Sequence, residues 1–184
     1  MGRRAKGWQC YNPYGDTDNH HGGGNSNHFK THVNPFLLNL KNKKDALDVG
    51  CGNGRHCKIL SEVFDRVVGI DIDYPFDERF RERNVQFYNK DFSEMEDVKF
   101  DLILFWGSFY NMENYEETMV KCHDLLNDDG FIIVGDDPSR RKDKEGTGHH
   151  DEFNYNLGVL MKENNFEEVD EVLGHYRITV MRKR

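Results

Sequence analysis

Short apolar runs alternate with amphipathic stretches along most of this chain. Apolar runs of about four to eight residues are typical of buried strands, and apolar positions that recur every three or four residues are typical of helices packed on one side. Most of the apolar runs are followed by an amphipathic stretch or a polar loop. This alternation predicts an α/β domain in which helices connect the strands of one sheet.

The pattern divides the chain into seven strands and five helical stretches. The strands are predicted over residues 46–49, 67–71, 85–88, 100–105, 131–134, 166–172 and 175–181. The helical stretches are predicted over residues 26–40, as one helix or as two divided near Pro35, then around 59–64, over 76–83, over 114–126, and from His149 onward. The last two strands are predicted to form a closing hairpin, because apolar and polar residues alternate in the final one.

Three glycines occupy every second position between the first predicted strand and the helix that follows it. Gly50, Gly52 and Gly54 would let the backbone bend tightly and let a ligand approach the main chain. The third glycine of the dinucleotide-binding fingerprint would fall at Arg55, so a pyrophosphate on the helix start is less expected. Asp48 is expected inside the turn, where it would repel a phosphate but would suit a ligand that carries an ammonium group.

A second carboxylate ends the next predicted strand. Asp71 lies about 20 residues beyond the first glycine, where an acidic side chain meets ribose hydroxyls in doubly wound nucleotide sites. S-adenosylmethionine is a ligand that has both an ammonium group and a ribose.

At these residues the chain resembles the class I S-adenosylmethionine-dependent methyltransferases. The matching stretches, in the family's order, are residues 47–54, 69–71, 89–92, 100–104 and 125–134. The resemblance covers roughly positions 40 to 182. It implies a Rossmann-like single domain with a doubly wound, mostly parallel seven-stranded sheet, an antiparallel last strand and helices on both faces.

The resemblance also implies a cofactor, S-adenosylmethionine, with S-adenosylhomocysteine as its product. Asp48 is expected toward the methionine ammonium, Asp71 on the ribose, and Asp91 with Phe92 at the adenine. The full set of expected cofactor-binding residues is Asp48, Gly50, Cys51, Gly52, Asp71, Ile72, Asp91, Phe92, Phe105 and Trp106. For Asp91 a plain role as a turn or N-cap residue is the alternative interpretation.

The loop after the fourth predicted strand is the predicted floor of the acceptor site, because ligands of open α/β sheets bind at the carboxyl ends of strands. Trp106 and Tyr110 in this loop could face a sulfonium or a cationic acceptor, or could simply cover the sheet edge. Methyl transfer needs a general base only when the acceptor has a proton to lose. The candidates for that catalytic role are His28, Tyr110, His149 and His150.

Residues 1–30 combine aromatic side chains and histidines with many Gly, Asn and Asp residues. They are either a flexible tail or a lid that orders over the cofactor and acceptor. The aromatic side chains support the lid, because disordered segments are usually poor in aromatics. The expected organisation is therefore a lid or substrate-proximal segment with its helix over residues 1–40 and a methyltransferase core over residues 41–184. His28 and His32 are one helical turn apart but lack a clear third ligand, so no metal site is expected.

Composition narrows the class of partner. Among 184 residues, 25 Lys and Arg stand against 33 Asp and Glu, and the net charge of −8 counts against a nucleic-acid partner. The four cysteines show no C-x-x-C pairing, and neither a secretory leader nor a run of membrane-spanning length is seen. We expect a cytoplasmic protein with reduced thiols and no membrane partner. An active site that is open on one side would suit a homodimer, because a neighbouring subunit could complete it.

Three functions remain open from the sequence. The first is a methyltransferase that acts on a nucleophilic O or N of a small-molecule acceptor. The second is a methyltransferase for a macromolecule, either protein or RNA. The third is a non-methylating protein of the same fold, such as an aminopropyl transferase or a binding module, although residues 105–107 do not match the Asp pair usual in aminopropyl transferases.

Overall fold

The computed structural model describes residues 26–73, 76–136, 157–172 and 177–184. The described strands are β1 (Asp45–Val49), β2 (Arg66–Asp71), β3 (Val85–Asn89), β4 (Phe100–Trp106), β5 (Leu126–Asp136), β6 (Phe166–Val172) and β7 (Arg177–Lys183). The described helices are α1 (Ser26–His32), α2 (Asn34–Asn39), α3 (Arg55–Ser61), α4 (Tyr115–Leu125) and α5, residues 157–163. Within this part of the chain no helix has both the length and the apolarity to cross a bilayer.

The described strands form one sheet in the order β3-β2-β1-β4-β5-β7-β6. The first five pair in parallel, and β7 runs antiparallel between β5 and β6. This confirms the predicted fold, including its antiparallel last strand. The chain moves outward in one direction from β1 to β3 and then crosses to β4, so the strand order reverses beside β1. In open α/β sheets a ligand site is expected at such a switch point, at the carboxyl ends of the strands.

The sheet is covered on both faces, and this explains its continuous apolar strands. All seven residues of β4 are buried. One buried cluster joins the sheet to α4 and α5 and includes Phe105 and Met119, while the other joins it to α1, α2 and α3 and includes Phe29 and Leu60. Residues 29–40 are therefore part of the folded domain, and they contribute Phe29, Val33, Leu37 and Leu40 to the second cluster.

Two predicted elements differ in the structure, and a third, the helical stretch over residues 26–40, matches one of its two predicted alternatives. Residues 76–83 form only a 3-10 turn, Glu78–Phe80, because the turn buries no side chain against the domain and so lacks the packing that stabilises a helix. The helical stretch over residues 26–40 is two helices, and Pro35 lies in the first turn of α2, where its missing N–H costs nothing. Strand β5 starts directly after α4, and its pairing with β4 shifts register between Phe100 and Leu102.

Candidate cofactor site

The glycine-rich loop joins β1 to α3 and has a backbone that only glycines adopt easily. Gly50, Gly52 and Gly54 have φ angles of 70°, 52° and 89°, which lie in the left-handed region. A side chain at Gly50 would place its Cβ 2.6 Å from the Cβ of Ser108, in the loop after β4. The N–H groups of Gly50 and Cys51 both donate to the carbonyl of Ile70, at 2.9 and 3.0 Å. The loop is thus held against the ends of β2 and β4.

Asp71 connects the end of β2 to this loop. Its carboxylate accepts hydrogen bonds from the N–H of Gly52 at 2.9 Å and from the N–H of Asp73 at 3.2 Å. A carboxylate has about four lone-pair sites, so acceptor capacity remains for ribose hydroxyls. The next residue, Ile72, is 59% exposed, which leaves an apolar surface beside Asp71. The predicted roles of both residues are compatible with this placement.

Asp48 lies beneath the loop and not on its surface. Its side chain is 1% exposed, and its Oδ2 accepts a hydrogen bond from the Cys57 thiol at 3.2 Å. Burial raises the pKa of Asp48 to about 7; the Cys57 hydrogen bond lowers it and the negative charge of Asp71 raises it. Because Asp48 is buried, it would act on a ligand ammonium mainly through its electrostatic field, which is weakly screened in the interior.

Two thiols lie beside Asp48. A Cβ on Gly69 would be 2.6 Å from the sulfur of Cys57 and 3.0 Å from the sulfur of Cys51, so the missing side chain of Gly69 makes room for both. Both cysteines are buried and free. Cys51 was expected at the cofactor, whereas nothing in the sequence assigned a role to Cys57. A glycine in the middle of a buried strand was the signal that something approaches closely there.

Asp91 follows β3 and caps a 3-10 turn, Phe92–Glu94. Its Oδ1 accepts from the N–H of Ser93 at 2.7 Å, and Oε1 of Glu94 accepts from the N–H of Asp91 at 3.2 Å. The alternative interpretation of Asp91 as an N-cap is therefore confirmed. Its role at the adenine stays a prediction, since a capping carboxylate keeps a second oxygen.

The structure places Phe92, Phe105 and Trp106 in the core. The ring of Phe105 meets the ring of Phe92 edge to face, with centroids 5.6 Å apart. Trp106 packs against Phe29 and His56, with centroids 4.9 and 5.6 Å apart. These side chains support the strand ends from within, so the predicted contacts of Phe105 and Trp106 with a ligand would involve their backbone.

The loop after β4 is joined to the end of β1. The Ser108 hydroxyl donates to the carbonyl of Val49 at 2.5 Å, and the N–H of Gly107 donates to the carbonyl of Gly135 at 2.7 Å. The phenol of Tyr115 donates to the carbonyl of Tyr110 at 3.2 Å. The predicted acceptor loop and the glycine loop are therefore in direct contact. Ser108 carries no motif that would have marked it.

Of the four candidate bases, the structure describes the side chain of Tyr110 alone, half-buried in the loop after β4. His28 lies in α1, but the structure does not describe its side chain. His149 and His150 fall outside the described residues, as do residues 1–25 of the expected lid. The candidate bases therefore remain predictions.

A family model described as a methyltransferase domain matches residues 27–171. The chain belongs to this family: it is a methyltransferase domain of the Rossmann-like class, and its cofactor is S-adenosylmethionine. The matched residues include the glycine loop, Asp71 and the loop after β4.

Several known proteins are similar to the chain. The malonyl-[acyl-carrier protein] O-methyltransferase of Acetivibrio thermocellus is 35% identical over 103 residues, which are 52% of this chain and 36% of that protein. The chain thus matches little more than a third of that relative's length. The structure of 1,6-didemethyltoxoflavin-N1-methyltransferase from Burkholderia thailandensis, with bound 1,6-didemethyltoxoflavin and S-adenosylhomocysteine, has a TM-score of 0.63 at 20% identity and covers 86% of this chain and 76% of its own.

The structure of magnesium protoporphyrin IX methyltransferase from Synechocystis PCC 6803, with bound S-adenosylmethionine, has a TM-score of 0.63 at 15% identity. The match covers 86% of this chain and 80% of that one. At these identities the two structures support the fold.

Proposed function

We propose that this chain transfers the methyl group of S-adenosylmethionine to a nucleophilic O or N of a small-molecule acceptor. The observation that carries the proposal is the direct contact between the glycine loop and the loop after β4, where Ser108 packs on Gly50. A cofactor on the first loop would have its methyl group close to an acceptor on the second.

The order of the strands supports one orientation of the cofactor. Asp71, at the end of β2, would bind the ribose, while Ile72 and Asp91 lie on the β2–β3 side, where the adenine is expected. Asp48, on β1, would attract the methionine ammonium. The sulfonium would then lie over the β1–β4 crevice, next to residues 106–111.

The protein's main task in this reaction is positioning. The sulfonium supplies an already activated methyl group, so the loops must hold the acceptor atom in line with it and keep water away. An acceptor O–H or N–H also needs a proton acceptor. Tyr110, in the loop after β4, is one candidate for this general base. The other candidates are His28, His149 and His150.

A second candidate acceptor is a carboxylate on a carrier-bound acyl group, and the name of the Acetivibrio relative supports it. A carboxylate has no proton to lose at neutral pH, so this reaction would need no base. The two candidates differ in that respect, since only the first predicts a loss of rate when a base is removed. The homodimer and the cytoplasmic location remain predictions.

Calorimetric titration with S-adenosylmethionine, S-adenosylhomocysteine and NAD tests the cofactor assignment. We expect both sulfur nucleosides to bind and NAD not to bind. Release of S-adenosylhomocysteine in the presence of candidate hydroxyl, amine and carboxylate acceptors then tests the reaction. A folded protein that binds neither sulfur nucleoside would overturn the proposal.

A further inference from the structure

We propose that Cys57 is a positioning residue for the cofactor site: its thiol donates the hydrogen bond that holds the Asp48 carboxylate beneath the glycine loop as an anion able to attract the cofactor's ammonium. This rests on the proposed orientation of S-adenosylmethionine. Cys57 would contact Asp48 and not the reacting atoms, so its effect would reach the ligand through that carboxylate.

The contact joins two buried groups on different elements. Cys57 lies on α3 and is fully buried, and its Sγ is 3.2 Å from Oδ2 of Asp48 on β1. The residues paired with Asp48 across the sheet are Gly69 on β2, which has no side chain, and Leu104 on β4, whose side chain cannot donate a hydrogen bond. A buried carboxylate is costly without a donor, so the thiol is well placed to stabilise the anion.

Cys57 must stay protonated to act as a donor, and its surroundings ensure that. Burial, the neighbouring Cys51 thiol and the nearby Asp48 raise the pKa of the Cys57 thiol well above its ordinary range. Its S–H therefore remains available across neutral pH. A thiol is a weak donor, which is consistent with a pKa of Asp48 that still lies near 7.

The titratable groups that face Asp48 come from three places: Cys57 on α3, Cys51 in the glycine loop and Asp71 at the end of β2. Two of these are neutral thiols and the third is a carboxylate. Within the described part of the chain, none of the groups that shift the pKa of Asp48 is a cation. A ligand ammonium above the loop would therefore supply the missing opposite charge.

Removal of the thiol should act through the ionised fraction of Asp48. Without its donor the carboxylate should titrate at a higher pH, and affinity that depends on the anion falls with the populated fraction. The affinity of S-adenosylmethionine should therefore fall most at pH 6 and pH 7, by up to about tenfold for each pH unit by which the pKa of Asp48 rises. At pH 9 the variant and the wild type should agree within about twofold.

The test compares S-adenosylmethionine affinity between pH 6 and pH 9 for the wild type, Cys57→Ala, Cys57→Ser and Cys122→Ala. Cys122 is an equally buried thiol on α4, so its variant is a matched control for loss of a core sulfur. We expect Cys57→Ala to move the pH curve upward, Cys57→Ser to restore it because a hydroxyl donates, and Cys122→Ala to leave it in place. The ligand's own titration is common to all four proteins.

A curve for Cys57→Ala that is unchanged, or that is weaker by the same factor at every pH, would overturn the proposal in favour of a plain packing role. Near-ultraviolet circular dichroism checks that each variant is folded. Carbon-13 NMR titration of the Asp48 carboxyl without ligand gives an independent readout. If the wild type binds no S-adenosylmethionine but Cys57→Ala still raises that titration midpoint, the proposed function fails while the Cys57–Asp48 link stands.

Discussion

Asp48 should make the stability of the ligand-free domain fall as pH rises, and replacing it with asparagine should remove that effect. In the folded protein burial raises the pKa of Asp48 to about 7, whereas an aspartate in an unfolded chain titrates near 3.8. Between these values the folded state holds a proton that the unfolded state has lost. The contribution is therefore fully present below pH 3.8 and disappears as pH rises through about 7.

The magnitude follows from the interval between the two pKa values. One pKa unit corresponds to about 1.4 kcal/mol, so the full interval is worth about 4 kcal/mol. From pH 5 to pH 8 the share that is lost is about 2–3 kcal/mol. A domain is typically stable by about 5–15 kcal/mol, so this change is large enough to measure.

The assay is urea unfolding of the wild type and Asp48→Asn at pH 5, 6, 7 and 8. The free energy of unfolding of the wild type, relative to the variant, should fall by about 2–3 kcal/mol over that range, or about 1 M in the urea midpoint. Asp73→Asn, which changes an exposed carboxylate at the same sheet edge, should run parallel to the wild type. Parallel curves for the wild type and Asp48→Asn would refute a raised pKa for Asp48.

Three further predictions concern the loops around the site. Gly50→Ala should abolish S-adenosylmethionine binding, measured by calorimetry, because φ is positive and the new Cβ meets Ser108; Gly107→Ala, with similar φ but open space, should keep measurable binding. Asp71→Ala should weaken S-adenosylmethionine binding by about 1.5–3 kcal/mol in calorimetry, and unchanged affinity in a folded variant would remove Asp71 from the site. Deletion of residues 1–25 should leave a folded domain with altered ligand affinity or turnover, and identical binding and turnover would contradict the lid.

The class of fold was predictable because its strands and helices follow from local patterns. Buried strands such as β4 are apolar throughout, and the glycine spacing marked the loop where the chain leaves β1. The resemblance of these stretches to a family supplied the doubly wound, mostly parallel sheet and its antiparallel last strand. The pattern failed at residues 76–83, where charged residues with a few apolar positions suggested a helix; only the 3-10 turn Glu78–Phe80 forms there, and none of its three side chains is buried.

The site was predicted less completely, because its electrostatics depend on contacts between distant parts of the chain. Asp71 and the glycines are found where the sequence placed them. The burial of Asp48 beneath its loop, its thiol donor and the bond from Ser108 to Val49 join separate elements. Asp91 illustrates the same limit, since a cap and a ligand contact look alike in a sequence.

The sequence by itself determined the class of fold and the cofactor, and it predicted the edge of the sheet where the cofactor would bind, because strand periodicity, glycine spacing and the placing of acids are local features. Only the tertiary structure decided which of those acids lies on the surface and which is buried. Burial depends on what packs against a residue, and that is set by strand order and helix docking. The two acids at the ends of β1 and β2 therefore have different physical roles: Asp71 offers an accessible carboxylate, and Asp48 a buried charge that depends on the thiol of Cys57.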